Sequence, residues 1–254
     1  MMTPFSRSYA VPVTSRDPAQ AAVDGSVRLE RTALGTTLVL DRPARRNALT
    51  LQMWQDLGAL VRRVGDGTDP LYVVGAGGYF CSGADLGALQ FARSGPDHAE
   101  VFVHAVVSSL LSIHAVDREV VAVVEGGAAG GGVEIMAACD RRVALGEPTL
   151  VFPFGHHGMT LDGFTRWRLH RLVGDAEAER LVDGRHVVGT DEAVRLGLLD
   201  ERHDDLAALA ALEHARGPAV GTDPDERYLR GLDELPEAVR RAAEPMLQAF
   251  PRHT

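Results

Sequence analysis

Lysine is absent from this chain of 254 residues, so all 26 cationic side chains are arginine, and they face 35 carboxylates for a formal net charge of -9. Nucleic-acid binding rests on clustered cations that displace counterions from phosphates. This balance excludes it as the main activity and leaves a small ligand, or one met by a local basic patch. Cysteine is scarce too: Cys81 and Cys139 form no CxxC pair, which leaves a disulfide scaffold or a zinc site without support and fits a reducing cytoplasm. No bound metal and no membrane contact are expected. No apolar run approaches the roughly 18 to 20 residues that span a bilayer, and the first twenty residues lack the continuous apolar region of a signal peptide. Asparagine occurs once, at Asn47, and composition gives that no mechanistic weight. A lysine-free chain also has no GK[ST] phosphate loop, and no GxGxxG with a distant acidic partner stands in place.

What is present is ordinary globular material, 45% hydrophobic and 24% charged, enough for one domain with a sizeable core. Residues 1–26 read as a loose extension. Ser26 to Asp41 reads as a β-hairpin turning at Ala33-Leu34-Gly35, and Thr50 as the N-cap of a helix with Met53, Trp54, Leu57, Leu60 and Val61 at helical spacing. Pro70 to Gly75 and Val120 to Val124 are buried strands that run into glycine-rich turns. Helices are predicted over Ala99 to Ile113, Gly131 to Cys139, Gly163 to Val173 and Ala176 to Val182, with another from Thr190. Strand and helix alternating at these lengths imply right-handed crossovers and a largely parallel sheet. Helical runs at Leu206 to Ala215 and Pro236 to Phe250 follow, around a turn-rich stretch at 217–224.

Glycine supplies 27 residues, and their placement matters more than their number. In Glu125-Gly-Gly-Ala-Ala-Gly-Gly-Gly-Val-Glu134, a strand passes through small residues into a helix whose first N–H groups are unpaired and carry the positive end of the dipole. Phe80-Cys-Ser-Gly-Ala-Asp85 has the same character and opens the Ala84 N–H to a ligand. Two converging N–H groups of this kind form an oxyanion hole, which stabilises the charge on a carbonyl oxygen as it becomes an enolate. Glu134 lies three residues after Gly131, so carboxyl and donor share one helix face, as proton transfer beside a carbonyl requires. The same spacing also suits a carboxylate that simply favours the first helical turn.

At these residues the sequence resembles the crotonase superfamily, also called the enoyl-CoA hydratase/isomerase family. The matching segments are LDRPARRNAL (Leu40 to Leu49), FCSGADL (Phe80 to Leu86), EGGAAGGGVEIMAACD (Glu125 to Asp140) and DGRHVVGTDEAVRLGLL (Asp183 to Leu199), in the family's order. The resemblance implies an α/β fold, a ββα spiral core over residues 27–200 with a helical C-terminal region over residues 201–254. It also implies homotrimers or hexamers, no permanently bound cofactor, and coenzyme A as part of an acyl-CoA thioester substrate. By position, the oxyanion donors would be the N–H groups of Ala84 and Gly131. Ala44, Arg45 and Arg46 would contact the CoA nucleotide, with Arg42 a further candidate for its phosphates. Ala84, Asp85, Leu86 and Gly87 would line the thioester.

The resemblance also exposes departures. Hydratases of the family hold a water between two glutamates; the first matches Glu134, and an ungapped match places the second at Phe154, which can neither give nor take a proton. Asp162 falls where some isomerases and dehalogenases of the family keep an essential aspartate, and it stands as a second catalytic carboxylate or as the cap of the following helix. His156 and His157 could supply an acid or base near neutral pH. These residues favour double-bond isomerisation of an enoyl-CoA over simple hydration. A hydrolase acting through Asp162 and a non-catalytic subunit with the same fold are the alternatives.

Overall fold

Strands buried on both faces carry near-continuous apolar runs, and Leu38, Val39 and Leu40 or Val120 to Val124 are such runs. The computed structural model describes residues 25–155, 160–216 and 235–250. The expected extension, His156, His157 and the stretch 217–224 lie outside the described residues, apart from residues 25 and 26. The hairpin forms as read: β1 (Ser26–Thr32) pairs antiparallel with β2 (Gly35–Asp41). Thr50 caps α1 (Leu51–Val64) by accepting the Met53 N–H. Next come β3 (Leu71–Gly75), α2 (Leu86–Arg93), α3 (Pro96–Ala115), β4 (Val120–Ala129), α4 (Gly131–Ala138) and β5 (Arg141–Phe152). The chain continues with α5 (Gly163–Val173), α6 (Asp175–Val182), β6 (His186–Val188), α7 (Thr190–Leu196), β7 (Glu201–His203), α8 (Leu206–Arg216) and α9 (Leu235–Gln248).

The sheet has seven strands in the order β1-β2-β3-β4-β5-β6, with β7 also on β5. The β2–β3, β3–β4, β4–β5 and β5–β7 pairs are parallel. One face packs under α1, α3, α4 and α9 in the main core. The other carries a smaller cluster of Tyr72, Val121, Val123 and Val143 beneath Leu209 of α8. Arg141 ties that side together through Glu119, Glu201 and Glu213.

Several sequence readings change. The fourth strand does not stop at Gly126: it bulges there, where φ is +66°, and pairs onward so that Gly127 to Ala129 lie beside Thr149 to Val151. The long β5 and the short α2 were not anticipated, because Gly146 and Pro148 interrupt the apolar pattern of the one and the glycines around Ala84 mask the start of the other. Helix α3 reaches 20 residues and is apolar enough, by length and composition, to cross a membrane. Here it is the core helix, with Val103, Val107, Leu110 and Leu111 fully buried. The sheet also continues past residue 200 into β7, and Val239 and Ala242 of α9 belong to the main core.

Candidate active site

Asn47, the lone asparagine, knots the loops on which the site is built. It adopts the left-handed conformation at φ 55°, which asparagine tolerates better than most residues. Its buried side chain accepts the Arg42 N–H at 2.8 Å and donates to the carbonyls of Ala76 at 2.9 Å and Tyr79 at 2.6 Å. Its own carbonyl accepts the Cys81 thiol at 3.2 Å. Composition alone offered no way to see this; only the long-range contacts do.

The Asn47 segment leads to Leu49, which bridges Ala84 in parallel: the Leu49 N–H donates to the Gly83 carbonyl at 2.8 Å and the Asp85 N–H to the Leu49 carbonyl at 2.9 Å. That pattern uses the groups flanking Ala84 and leaves its own N–H without an acceptor among the described residues. A second bridge, Cys81 with Ala128, seats the loop on β4. Gly131 opens α4, and its N–H is likewise unaccepted, as the first donors of a helix are. The two loops meet without room for side chains. A Cβ on Gly83, where φ is +95°, would lie 2.8 Å from the Ala129 carbonyl and 2.9 Å from the Gly131 nitrogen.

Ala84, Gly131 and Glu134 line one cavity of about 300 Å³, walled by Trp54, Leu89, Phe102, Val106, Met246 and Phe250. Among the described residues its lining carries two ionisable side chains, Glu134 and Arg93. Glu134 is 5% exposed, and burial, reinforced by the nearby Asp162, pushes its carboxyl up to about 8. The helix thus does more than give this residue a favourable dipole position: it delivers a carboxyl to the cavity. Phe154 lines the same cavity, 3% exposed and edge-on to Phe152. The position that the resemblance reserves for a second glutamate is therefore an apolar wall.

Several expected site residues take other roles. Asp162 is fully buried and absent from the cavity lining; its Oδ1 accepts the N–H groups of Phe164 at 2.9 Å and Thr165 at 3.0 Å as the N-cap of α5. Its Oδ1 serves the helix cap that the sequence also allowed, its Oδ2 is buried without a hydrogen-bond partner among the described residues, and it acts on Glu134 electrostatically. Asp85 is also a cap: it accepts the Gly87 N–H and pairs with Arg42 at 2.8 Å. Burial opposes its charge, yet Arg42 and that N–H hold its carboxyl below the usual range. Arg42 is thereby engaged, and neither Asp85 nor Gly87 lines the cavity, whereas Leu86 does. Ala44, Arg45 and Arg46 are exposed, with Arg46 over the Tyr79 ring at 5.5 Å. The Cys81 thiol is fully buried and pushed up to about 12, chiefly by burial, so it is no nucleophile.

Two buried arginines that sequence reading passed over hold the far end of α4. Arg168 donates to the carbonyls of Ala137 at 2.9 Å and Cys139 at 3.1 Å, and Arg142 to Cys139 at 3.0 Å. Cations at a helix C-terminus satisfy its last carbonyls and complement its dipole. They fix the helix that carries both Gly131 and Glu134. A basic residue beside an apolar helical run is a weak signal, since most such residues are solvated.

A largely parallel sheet whose glycine loops close over a carboxyl-bearing apolar cavity defines a protein of the crotonase class. The sequence matches the enoyl-CoA hydratase/isomerase family over residues 35–212, and the chain belongs to that family. It is 32% identical over 192 residues to the probable enoyl-CoA hydratase echA6 of Mycobacterium bovis, covering 71% of this chain and 76% of that one. It is 31% identical over 216 residues to the ethylmalonyl-CoA decarboxylase of Danio rerio, covering 81% and 70%. The crystal structure of an enoyl-CoA hydratase/isomerase family protein from Hyphomonas neptunium superposes with a TM-score of 0.68 at 29% identity, covering 75% of this chain and 74% of that one.

Proposed function

We propose that this family member moves a double bond in an enoyl-CoA thioester by proton transfer through Glu134. The observation that carries the reading is that Glu134 shares its cavity with two unaccepted backbone N–H groups, those of Ala84 and Gly131. With the thioester oxygen between these donors, the Glu134 carboxylate takes a proton from C2 of a 3-enoyl thioester. The electron pair passes into the carbonyl to form a dienolate, whose oxygen the two N–H groups hold. Glu134, now protonated, returns the proton to C4, and the double bond lies between C2 and C3. One carboxyl suffices for this exchange, whereas hydration needs a second group to hold water where Phe154 stands. Burial makes Glu134 a stronger base than an ordinary carboxylate, as abstraction next to a carbonyl demands.

The pH profile tests the role. Above its ordinary range, Glu134 is mostly protonated at pH 7 and becomes the base only as pH rises through about 8. Isomerase kcat/KM should therefore climb with pH and level off above that value, measured by absorbance with 3-enoyl-CoA substrates. A flat profile over this interval would remove Glu134 as the base. A second reading follows from the same observation, because the neutral carboxyl that dominates at pH 7 is an acid. With a 2-carboxyacyl-CoA, the bond to the carboxyl breaks, CO2 leaves, the pair becomes the thioester enolate and Glu134 protonates C2. That activity would fall, not rise, through about 8, so the sign of the slope separates the two.

The nucleotide end of CoA is assigned to Arg45 and Arg46, exposed cations whose carbonyls accept the Ser82 hydroxyl at 3.2 Å and the Ser82 N–H at 2.9 Å, beside Ala84. Replacing both by alanine should raise KM several-fold with little change in kcat, and flatten the salt dependence of KM. An unchanged KM refutes the assignment.

A further inference from the structure

The proton transfer has no use for one charged group in the cavity. Arg93 stands in the last turn of α2 and lines the cavity with Leu86 and Leu89, three residues that share one helix face. No carboxylate pairs with it among the described residues, whereas Arg42, Arg141, Arg142, Arg180 and Arg202 each hold at least one. Arg45, Arg46, Arg62, Arg63 and Arg168 also lack a carboxylate partner, but Arg93, itself exposed, is the one arginine among the described residues that lines this cavity.

Its position along the cavity matters as much as its charge. Ser82 bonds to the carbonyls of Arg45 and Arg46, the residues assigned to CoA, and beyond Ala84 the helix α2 spans about 10 Å from Leu86 to Arg93 at 1.5 Å per residue. The cavity wall beside this helix is apolar, with Leu89, Phe102, Val106, Met246 and Phe250 in its lining. An acyl chain running from Ala84 along α2 would end at a guanidinium. A methyl terminus gains nothing from that group and takes water from it. A carboxylate accepts two parallel hydrogen bonds in the geometry that arginine offers.

We propose that Arg93 is a specificity-determining residue that selects an acyl-CoA whose acyl chain ends in a carboxylate. The inference rests on the placement of the thioester at Ala84 and Gly131. Saturated thioesters test it without requiring turnover: octanoyl-CoA against suberoyl-CoA, its ω-carboxy counterpart, with the six-carbon and ten-carbon pairs to cover length. Calorimetric titration of the full-length protein should show the ω-carboxy member of the best-fitting pair binding about five-fold tighter or more, the size expected for a partly solvated ion pair. Arg93→Gln should abolish that preference while leaving the affinity for octanoyl-CoA unchanged, and Arg93→Glu should reverse it. Equal binding of both members at every length, or a preference that survives Arg93→Gln, overturns the proposal while leaving the thioester placement standing. If no thioester binds more tightly than free CoA, the placement itself fails and the proposal falls with it.

Discussion

Glu134→Gln is expected to lower kcat/KM toward the productive enoyl-CoA or 2-carboxyacyl-CoA by about 10²- to 10⁴-fold, the range that a positioned acid or base contributes. The affinity for the thioester should hold, because the amide keeps the shape of the carboxyl and leaves the donors at Ala84 and Gly131 in place. Folding should hold as well. Glu134 is a buried carboxyl raised by desolvation and by Asp162, so a neutral amide removes a repulsion rather than a partner, and thermal unfolding should shift little or upward. Steady-state kinetics beside a titration with a saturated thioester check both halves. Full activity in this variant would end the catalytic role of Glu134 in either reaction. A wild-type protein that binds thioesters and turns over neither substrate class would instead be the non-catalytic form of the fold.

Gly83→Ala is the second large effect, and it acts through the backbone. At φ +95° an alanine is strained wherever it points, and here its Cβ would press within 3 Å of the Ala129 carbonyl and the Gly131 nitrogen. One of the two loops must move, and either movement separates the Ala84 and Gly131 donors. Losing one oxyanion donor costs about 10²- to 10³-fold in kcat. The expected result is a fall of that size in kcat with a smaller change in KM. Gly146→Ala is the control: φ is +71° and a Cβ there meets nothing within 4 Å, so it carries backbone strain without a collision. It should cost about 1 kcal/mol of stability and leave kcat unchanged. If Gly83→Ala retains the kinetics of the control, the two N–H groups do not hold the developing charge.

How much of the site could be read before the fold was known depended on how local each signal was. Thr50 caps its helix and the hairpin turns where its glycine stands, because caps and turns are settled by residues a few positions apart. The helices from Gly163 and Thr190 begin where they were expected for the same reason. That Ala84, Gly131 and Glu134 share one cavity agrees with the sequence reading, because an unhindered N–H at a glycine turn and a carboxyl one helical turn onward are also local properties. Asp162 was open: its sequence neighbourhood suits a cap and a catalytic carboxyl equally, and only the tertiary structure aims its Oδ1 at the N–H groups of α5 and buries it. Asp85 and Arg42, 43 positions apart, satisfy each other for a reason that no local pattern contains.

The amino-acid sequence by itself determined the class of chemistry: a lysine-free acidic chain with two glycine loops, one carboxyl beside a helix start and a phenylalanine where a second carboxyl would stand. Those follow from residue type and short spacing, which survive any packing of the chain. Only the tertiary structure decided that Asn47 is the knot of the loops, that Arg142 and Arg168 secure α4, that burial raises the Glu134 carboxyl above the ordinary range, and that Arg93 shares its cavity. Each of these depends on groups distant in the chain coming together and shedding water, and the energy of a charge or a polar group is set by what replaces that water.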